Sequence, residues 1–282
     1  MKNTTKVLDW RRIMNDNNNI VWHYCSYEAF KKIIESRSFK LSNIQLSNDP
    51  SELSKYKQYK DELCKYLYGE RSSVAEFSFE NEFSRDFYTT RFACFSLAKD
   101  SLPMWYMYGD ECRGVAIGFS KGWFEKVINN LSNNHFIFPV FGKVRYSNID
   151  QRKLIEEICS SNNPIKEHDI AKLSFFKSEC YSFEDEVRIA VRTENNQFGH
   201  NYHQFSNEIW PFFFANQNNY MSDLFLSIEA EDGDEPITKI IIGPCFDAPL
   251  YRLFRFAYAN GIKEDKIETS NIKHILKKDY LH

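Results

Sequence analysis

The side chains able to do chemistry fall in three places. His23 stands in Ile20-Val21-Trp22-His23-Tyr24, a run otherwise apolar and aromatic, where a neutral imidazole offers one donor and one acceptor. Trp105, Tyr106 and Tyr108 follow Pro103, and helical spacing places Trp105 and Tyr108 on one face, with rings suited to stacking on a flat ligand. Glu184 and Glu186 lead into an apolar strand pattern, so two-residue alternation points both carboxylates the same way. Like charges so placed raise one another's proton affinity, which suits acid–base work. Taken alone, each group also has a plain reading: a hydrogen-bonded strand histidine, an aromatic core stripe, and an edge strand whose glutamates pair with Arg188. His200 and His203 have no carboxylate or cysteine at metal spacing, so no metal site is expected.

The elements that must position these groups read as follows. Residues 20–24 form a strand, and Ser26 caps a helix whose apolar positions are Phe30, Ile33 and Ile34. Phe39 to Ser42 is a short strand, and Asn48-Asp49-Pro50-Ser51-Glu52 starts a helix whose free amides could also meet an anionic pyrophosphate. Arg91 to Leu97 is a buried strand, Met104 to Tyr108 a short helix closed by Gly109, and Gly114 to Phe119 another strand. Strands at Lys143 to Tyr146 and Glu186 to Arg192 flank a mainly polar stretch, read as helical, from Ile149 to Cys180. Ile237 to Gly243, a helix near Leu250 to Ala259 and a strand near Lys266 to Thr269 make a β-α-β unit with parallel strands. The class is α+β with mixed sheets.

Composition narrows the function classes. The chain has 282 residues, enough for one large domain, with 43% apolar and 27% charged residues, as in folded globular proteins. A net charge of -3 argues against coating a nucleic-acid backbone as the main activity, although a local cluster, Lys273, His274, Lys277 and Lys278, is basic. No secretory h-region or membrane-length apolar run is seen, so a cytoplasmic protein without membrane contact is expected. The seven cysteines are scattered and read as reduced thiols. P-loop, dinucleotide-fold, nucleophile-elbow and zincin motifs are missing.

In order along the chain, His23-Tyr24, Leu41-Ser42, Asn48 to Glu52, Cys94-Phe95-Ser96, Met104 to Tyr108, Gly114 to Phe119, Tyr181 to Arg188 and Ile240 to Gly243 resemble a bacterial family known as domain of unknown function 2971. The resemblance spans roughly residues 20 to 272. It implies an N-terminal extension at 1–19, one domain at 20–272 and a tail at 273–282. That family in turn resembles a remote member of the ADP-ribosyltransferase superfamily, which implies split, twisted β-sheets around a cleft for NAD. The implied activity is cleavage of the nicotinamide glycosidic bond of NAD, the substrate, with transfer of ADP-ribose to an unidentified intracellular protein or nucleic acid, or to water. A bacterial toxin or defence effector, with an antitoxin as a partner, is the implied setting. Carried over by position, Glu186 is catalytic, Glu184 faces the acceptor, and His23 holds the nicotinamide ribose. Tyr24, Ser96, Trp105 and Tyr108 complete the NAD contacts, with the stacking ring left open among the aromatics. Glu-x-Glu usually accompanies an arginine in the first motif, and here that position is His23. A catalytically silent module of the same fold, binding a nucleotide or nucleic acid, is the competing expectation.

Overall fold

The computed structural model describes residues 20–43, 48–69, 76–80, 90–132, 137–160, 171–193, 213–216, 223–228 and 235–272. The expected extension at 1–19, the tail at 273–282 with its basic cluster, and the pair His200 and His203 lie outside the described residues.

Strand β1 (Ile20–Cys25) runs into helix α1 (Tyr27–Ser36), whose cap is Ser26: its side chain accepts from the Ala29 amide at 3.1 Å. Strand β2 (Ser38–Asn43) follows. The helix expected after Asn48 begins as a 3-10 helix (Glu52–Tyr59) and continues as α2 (Lys60–Tyr68). Its N-cap, Ser51, makes no side-chain cap bond; the Asp49 carboxylate before it accepts from the Ser51 amide at 2.9 Å. Strand β3 (Arg91–Ser96), helix α3 (Leu102–Tyr108) and strand β4 (Val115–Ser120) stand where periodicity and the Pro103 and Gly109 signals put them.

Helix α4 (Lys121–Ser132) and strand β5 (Ile137–Lys143) come next. The expected strand from Lys143 to Tyr146 is corrected: pairing of β5 ends at Lys143, and only Arg145 bridges onward, to Phe176. Among the described residues of the stretch from Ile149 to Cys180, helix is seen as α5 (Asn148–Cys159) and as 3-10 turns at Leu173–Phe175 and Glu179–Glu184, with residues 176–178 outside any helix. Strand β6 (Glu186–Thr193) leads to two strands not read from sequence, β7 (Phe213–Asn216) and β8 (Asp223–Ser227). Strand β9 (Ile237–Ile242), helix α6 (Leu250–Ala259) and strand β10 (Ile267–Thr269) close the chain, with β9 and β10 parallel.

All other ladders between these strands are antiparallel, so the protein is a mixed α/β structure with a large open mixed sheet and flanking helices. Its branch point is β3. One edge of β3 pairs with β6 over six residues. The other edge is shared, meeting β1 at Trp22 opposite Ser96 and β2 at Ser42 opposite Phe92. Between those two contacts the sheet forks. Val21 and Cys25 of β1 join the core that includes Phe30, Phe95, Phe119 and Phe124, while Trp22 and Tyr24 join Met104 and Trp105 on the opposite face. A third core, with Leu63, Ile155 and Phe176, packs α2 and α5 over Phe92 and Ala190.

Candidate active site

A cavity of about 250 Å³ opens at the fork. Its walls include Trp22, His23 and Tyr24 from β1, Cys94 and Ser96 from β3, Tyr108 from α3, and Glu186 and Arg188 from β6. Asn48, Glu52, Lys177 and Glu184 enter from the connecting segments. Ladder register explains the β3–β6 wall. Ser96 lies opposite Glu186 and Cys94 opposite Arg188, and opposed residues project to the same face.

The two glutamates converge by a route other than strand alternation. Glu184 ends a 3-10 turn, and Asp185, with φ 42°, reverses the backbone before β6 begins at Glu186. Ser96 fastens this corner: its hydroxyl donates to the Glu184 carbonyl at 2.5 Å and accepts from the Ala98 amide at 3.0 Å. Glu186 receives the Arg188 fork, Nε at 2.6 Å and Nη2 at 3.0 Å, while Arg188 also pairs with Glu52. Lys177 Nζ joins the two acids, 2.5 Å from Glu184 and 3.4 Å from Glu186. The Tyr108 hydroxyl at 2.5 Å and Asn48 Nδ2 at 3.2 Å donate to the other Glu184 oxygen.

The two acids shift in opposite directions. Burial alone would raise the Glu186 pKa, but the Arg188 guanidinium and Lys177 ammonium outweigh it and hold the carboxyl at about 2. Glu184 is raised above its ordinary value by burial and by the neighbouring Glu186 charge, against the opposing pull of Lys177 and Tyr108. Lys177 itself is buried, which lowers its pKa, yet the two carboxylates raise it above normal and keep it an ammonium. The lining holds three carboxylates, Glu52, Glu184 and Glu186, against two cations, Lys177 and Arg188, so it favours positive charge.

His23 takes up the fork itself. Its Nδ1 donates to the Cys94 carbonyl at 3.3 Å, and its ring meets Phe39 edge-on at 4.4 Å. Desolvation lowers its pKa to about 4, only partly offset by the carbonyl, so the ring is neutral at pH 7 with Nε2 left as an acceptor. Cys94 is open to the cavity by surface area, yet deep enough that loss of bulk solvation, followed by the Glu186 charge, raises its pKa well above normal. It is a thiol, not a thiolate.

The cavity thus gathers His23, Tyr24, Ser96, Tyr108, Glu184 and Glu186 and leaves out Trp105. The expected pairing of Trp105 and Tyr108 on one functional face is corrected: Trp105 is fully buried, packs edge-on to Tyr24 at 4.9 Å and donates Nε1 to Asp100. Tyr24 and Ser96 line the cavity with committed hydroxyls. Tyr24 donates to the Ala98 carbonyl and accepts from the Ser101 amide.

Lys177 and Glu52 were not anticipated. Lys177 ends the apolar run Leu173-Ser174-Phe175-Phe176, and its amide donates to the Arg145 carbonyl, which brings the ammonium under both acids. A lysine closing a buried run was the available signal. Asn48 and Asp49 act on the site through side chains, not free amides, since Asp49 accepts from the Ser178 amide at 2.8 Å and anchors the segment carrying Lys177.

Fold and site together define a mixed α/β protein with a buried, cation-bridged glutamate pair at a forked sheet. Residues 104–189 match the model of a family described as protein of unknown function (DUF2971). Tyr108, Lys177, Glu184, Glu186 and Arg188 all lie inside the match. No curated protein and no solved structure matches the chain. Among the described residues, no helix is long and apolar enough to cross a membrane.

Proposed function

We propose that this protein is an NAD-consuming enzyme of the ADP-ribosyltransferase type, cleaving the nicotinamide glycosidic bond and passing ADP-ribose to a macromolecular acceptor or to water. The observation that carries the reading is the divergence of two glutamates that share one ammonium. Glu186 stays ionised at any physiological pH, and Glu184 holds its proton more tightly. Carboxyl groups pushed apart in this way divide acid–base and electrostatic roles between them.

In this reading the excess of carboxylate over cation faces the positive charge that grows on the ribose as the bond to nicotinamide lengthens. Glu186 supplies the fixed negative charge. Glu184, with Tyr108 as its donor, takes the proton of the incoming acceptor hydroxyl. His23, neutral with Nε2 free to accept, receives a hydrogen bond from the ribose. Of the α3 rings, Trp105 is in the core and Tyr106 is not part of the cavity lining, which leaves Tyr108 to meet the flat nicotinamide. Split sheets around an NAD cleft agree with the fork at β3. The cavity is smaller than the roughly 300–1,000 Å³ of drug-sized ligand pockets, so it takes the nicotinamide ribose and leaves the adenylate half outside.

One observation favours the second reading, a silent nucleotide-binding module. Both Glu186 oxygens are already engaged by Arg188, as in a structural ion cluster. Adenylate-labelled NAD incubated with the protein and a cell lysate separates the readings. Label on a macromolecule marks a transferase, and free labelled ADP-ribose marks a hydrolase. Bound but intact NAD would overturn the enzymatic reading in favour of the module.

A further inference from the structure

Cys112 and Cys245 are distant in sequence and meet where β4 and β9 run past their ends. Val115 pairs with Ile242 in that antiparallel ladder. Beyond it, the Gly243 amide donates to the Gly114 carbonyl at 2.9 Å and the Cys245 amide to the Cys112 carbonyl at 2.9 Å. The register therefore continues and sets the two cysteines directly opposite one another. One of the two bonds of a hydrogen-bonded pair is made, the Cys112 amide donating to the Trp105 carbonyl instead; residues in such pairs have Cα atoms about 5.5 Å apart. A disulfide spans roughly 4.4–6.8 Å.

The side chains are close enough for Cys245 to raise the Cys112 pKa, after the larger effect of burial. Both are reduced, Cys112 buried and Cys245 exposed. Their surroundings hold them in place. A Cβ on Gly243 would lie 2.4 Å from the Cys112 carbonyl, so the backbones cross as closely as glycine allows. Asp110, Glu111 and Cys112 have φ of 52°, 52° and 73°, a left-handed run that non-glycine residues adopt only when the structure around them enforces it.

We propose that Cys112 and Cys245 form a thiol–disulfide exchange site, with a low-molecular-weight disulfide of the glutathione class as oxidant. The exposed Cys245 sulfur attacks one sulfur of the small disulfide, forming a mixed disulfide and releasing one small thiol. The Cys112 sulfur then attacks Cys245, gives up its proton to solvent, and displaces the second small thiol. Two protein thiols are oxidised and one small disulfide is reduced. Burial raises the Cys112 pKa, so this second step quickens as pH rises. The product ties the loop after α3, the helix that carries Tyr108, to the end of β9.

The test is incubation of the reduced full-length protein with oxidised glutathione, then peptide mapping by mass spectrometry without reduction. The expected result is a linked peptide pair joining Cys112 to Cys245, with little glutathione left on Cys245. In Cys112→Ser, glutathione accumulates on Cys245 instead, because the resolving thiol is gone. Wild-type protein that retains glutathione on Cys245 as the variant does, or that yields no Cys112–Cys245 link, would overturn the assignment. The wild-type map decides even where the variant folds poorly.

Discussion

Two glutamates sharing one buried ammonium respond unequally to its loss, because Glu186 keeps the Arg188 fork and Glu184 keeps only the neutral donors Tyr108 and Asn48. Lys177→Met should cost about 3–5 kcal/mol near neutral pH, the usual penalty for a buried charge left without its partner. The deficit should shrink as pH falls, since protonating Glu184 relieves it. Urea denaturation at pH 5 and pH 8 checks this, and an equal deficit at both would contradict it. The pair should also titrate apart in wild type. Glu186 is depressed, so its stabilising contribution is complete above the ordinary glutamate value of 4.5 and is lost as pH falls toward about 2. Glu184 is raised, so its contribution runs the other way and is lost as pH climbs past its native pKa. Carboxylate carbon shifts followed by NMR should show one glutamate below and one above the normal range. Two ordinary titrations would refute this electrostatic picture.

At the scale of elements, His23 fills the fork between β1 and β2, bonded to the Cys94 carbonyl and edge-on to Phe39. His23 is neutral in the fold down to about pH 4, whereas the unfolded chain takes up its proton near pH 6.5. Its contribution is therefore complete above pH 6.5 and falls by up to about 3 kcal/mol as pH drops to about 4. Stability curves of wild type and His23→Gln should converge across that window, and parallel curves would count against the assignment. The corner between the 3-10 turn and β6 depends on Ser96, whose hydroxyl serves the Glu184 carbonyl and the Ala98 amide. Ser96→Ala should cost about 1–3 kcal/mol by orphaning them; a change within about 0.5 kcal/mol, the range of ordinary surface substitutions, would show that the corner holds without it. These elements also show what was legible beforehand. The approach of Glu184 and Glu186 was readable, but for a different reason: alternation assumes a strand through Asp185, where the chain turns left-handed. Lys177 carried only the signal of closing a buried run, because its position depends on the backbone contact of its segment with Arg145, a link between residues far apart in sequence. Trp105 misled because three-residue helical spacing brings two side chains near one another without deciding which of them faces the core.

Across the whole molecule, local patterns sufficed where an element is defined by its own residues, as in β1, α1, α3, β4 and the β9–α6–β10 unit. They failed for β5, whose boundary is set by where pairing with β6 ends, and gave no sign of β7 and β8. The same dependence on distant partners governs the segment that matches the family. Residues 104–189 contain the acid pair but lack β1, β3 and β9, the partners of β4 and β6. A fragment of those residues alone should fail to fold, giving a collapsed proton NMR spectrum, and a dispersed spectrum would contradict this reading of the fold. The claim on which the functional account rests is that the cavity cleaves NAD through its glutamate pair. Nicotinamide release by purified wild type and by Glu186→Gln, with thermal unfolding confirming that both are folded, tests it most directly. The account predicts release by wild type that falls at least 100-fold in the folded variant, the order expected when a preorganised charge at the transition state is lost. Equal release from the two, or none from either, would contradict it.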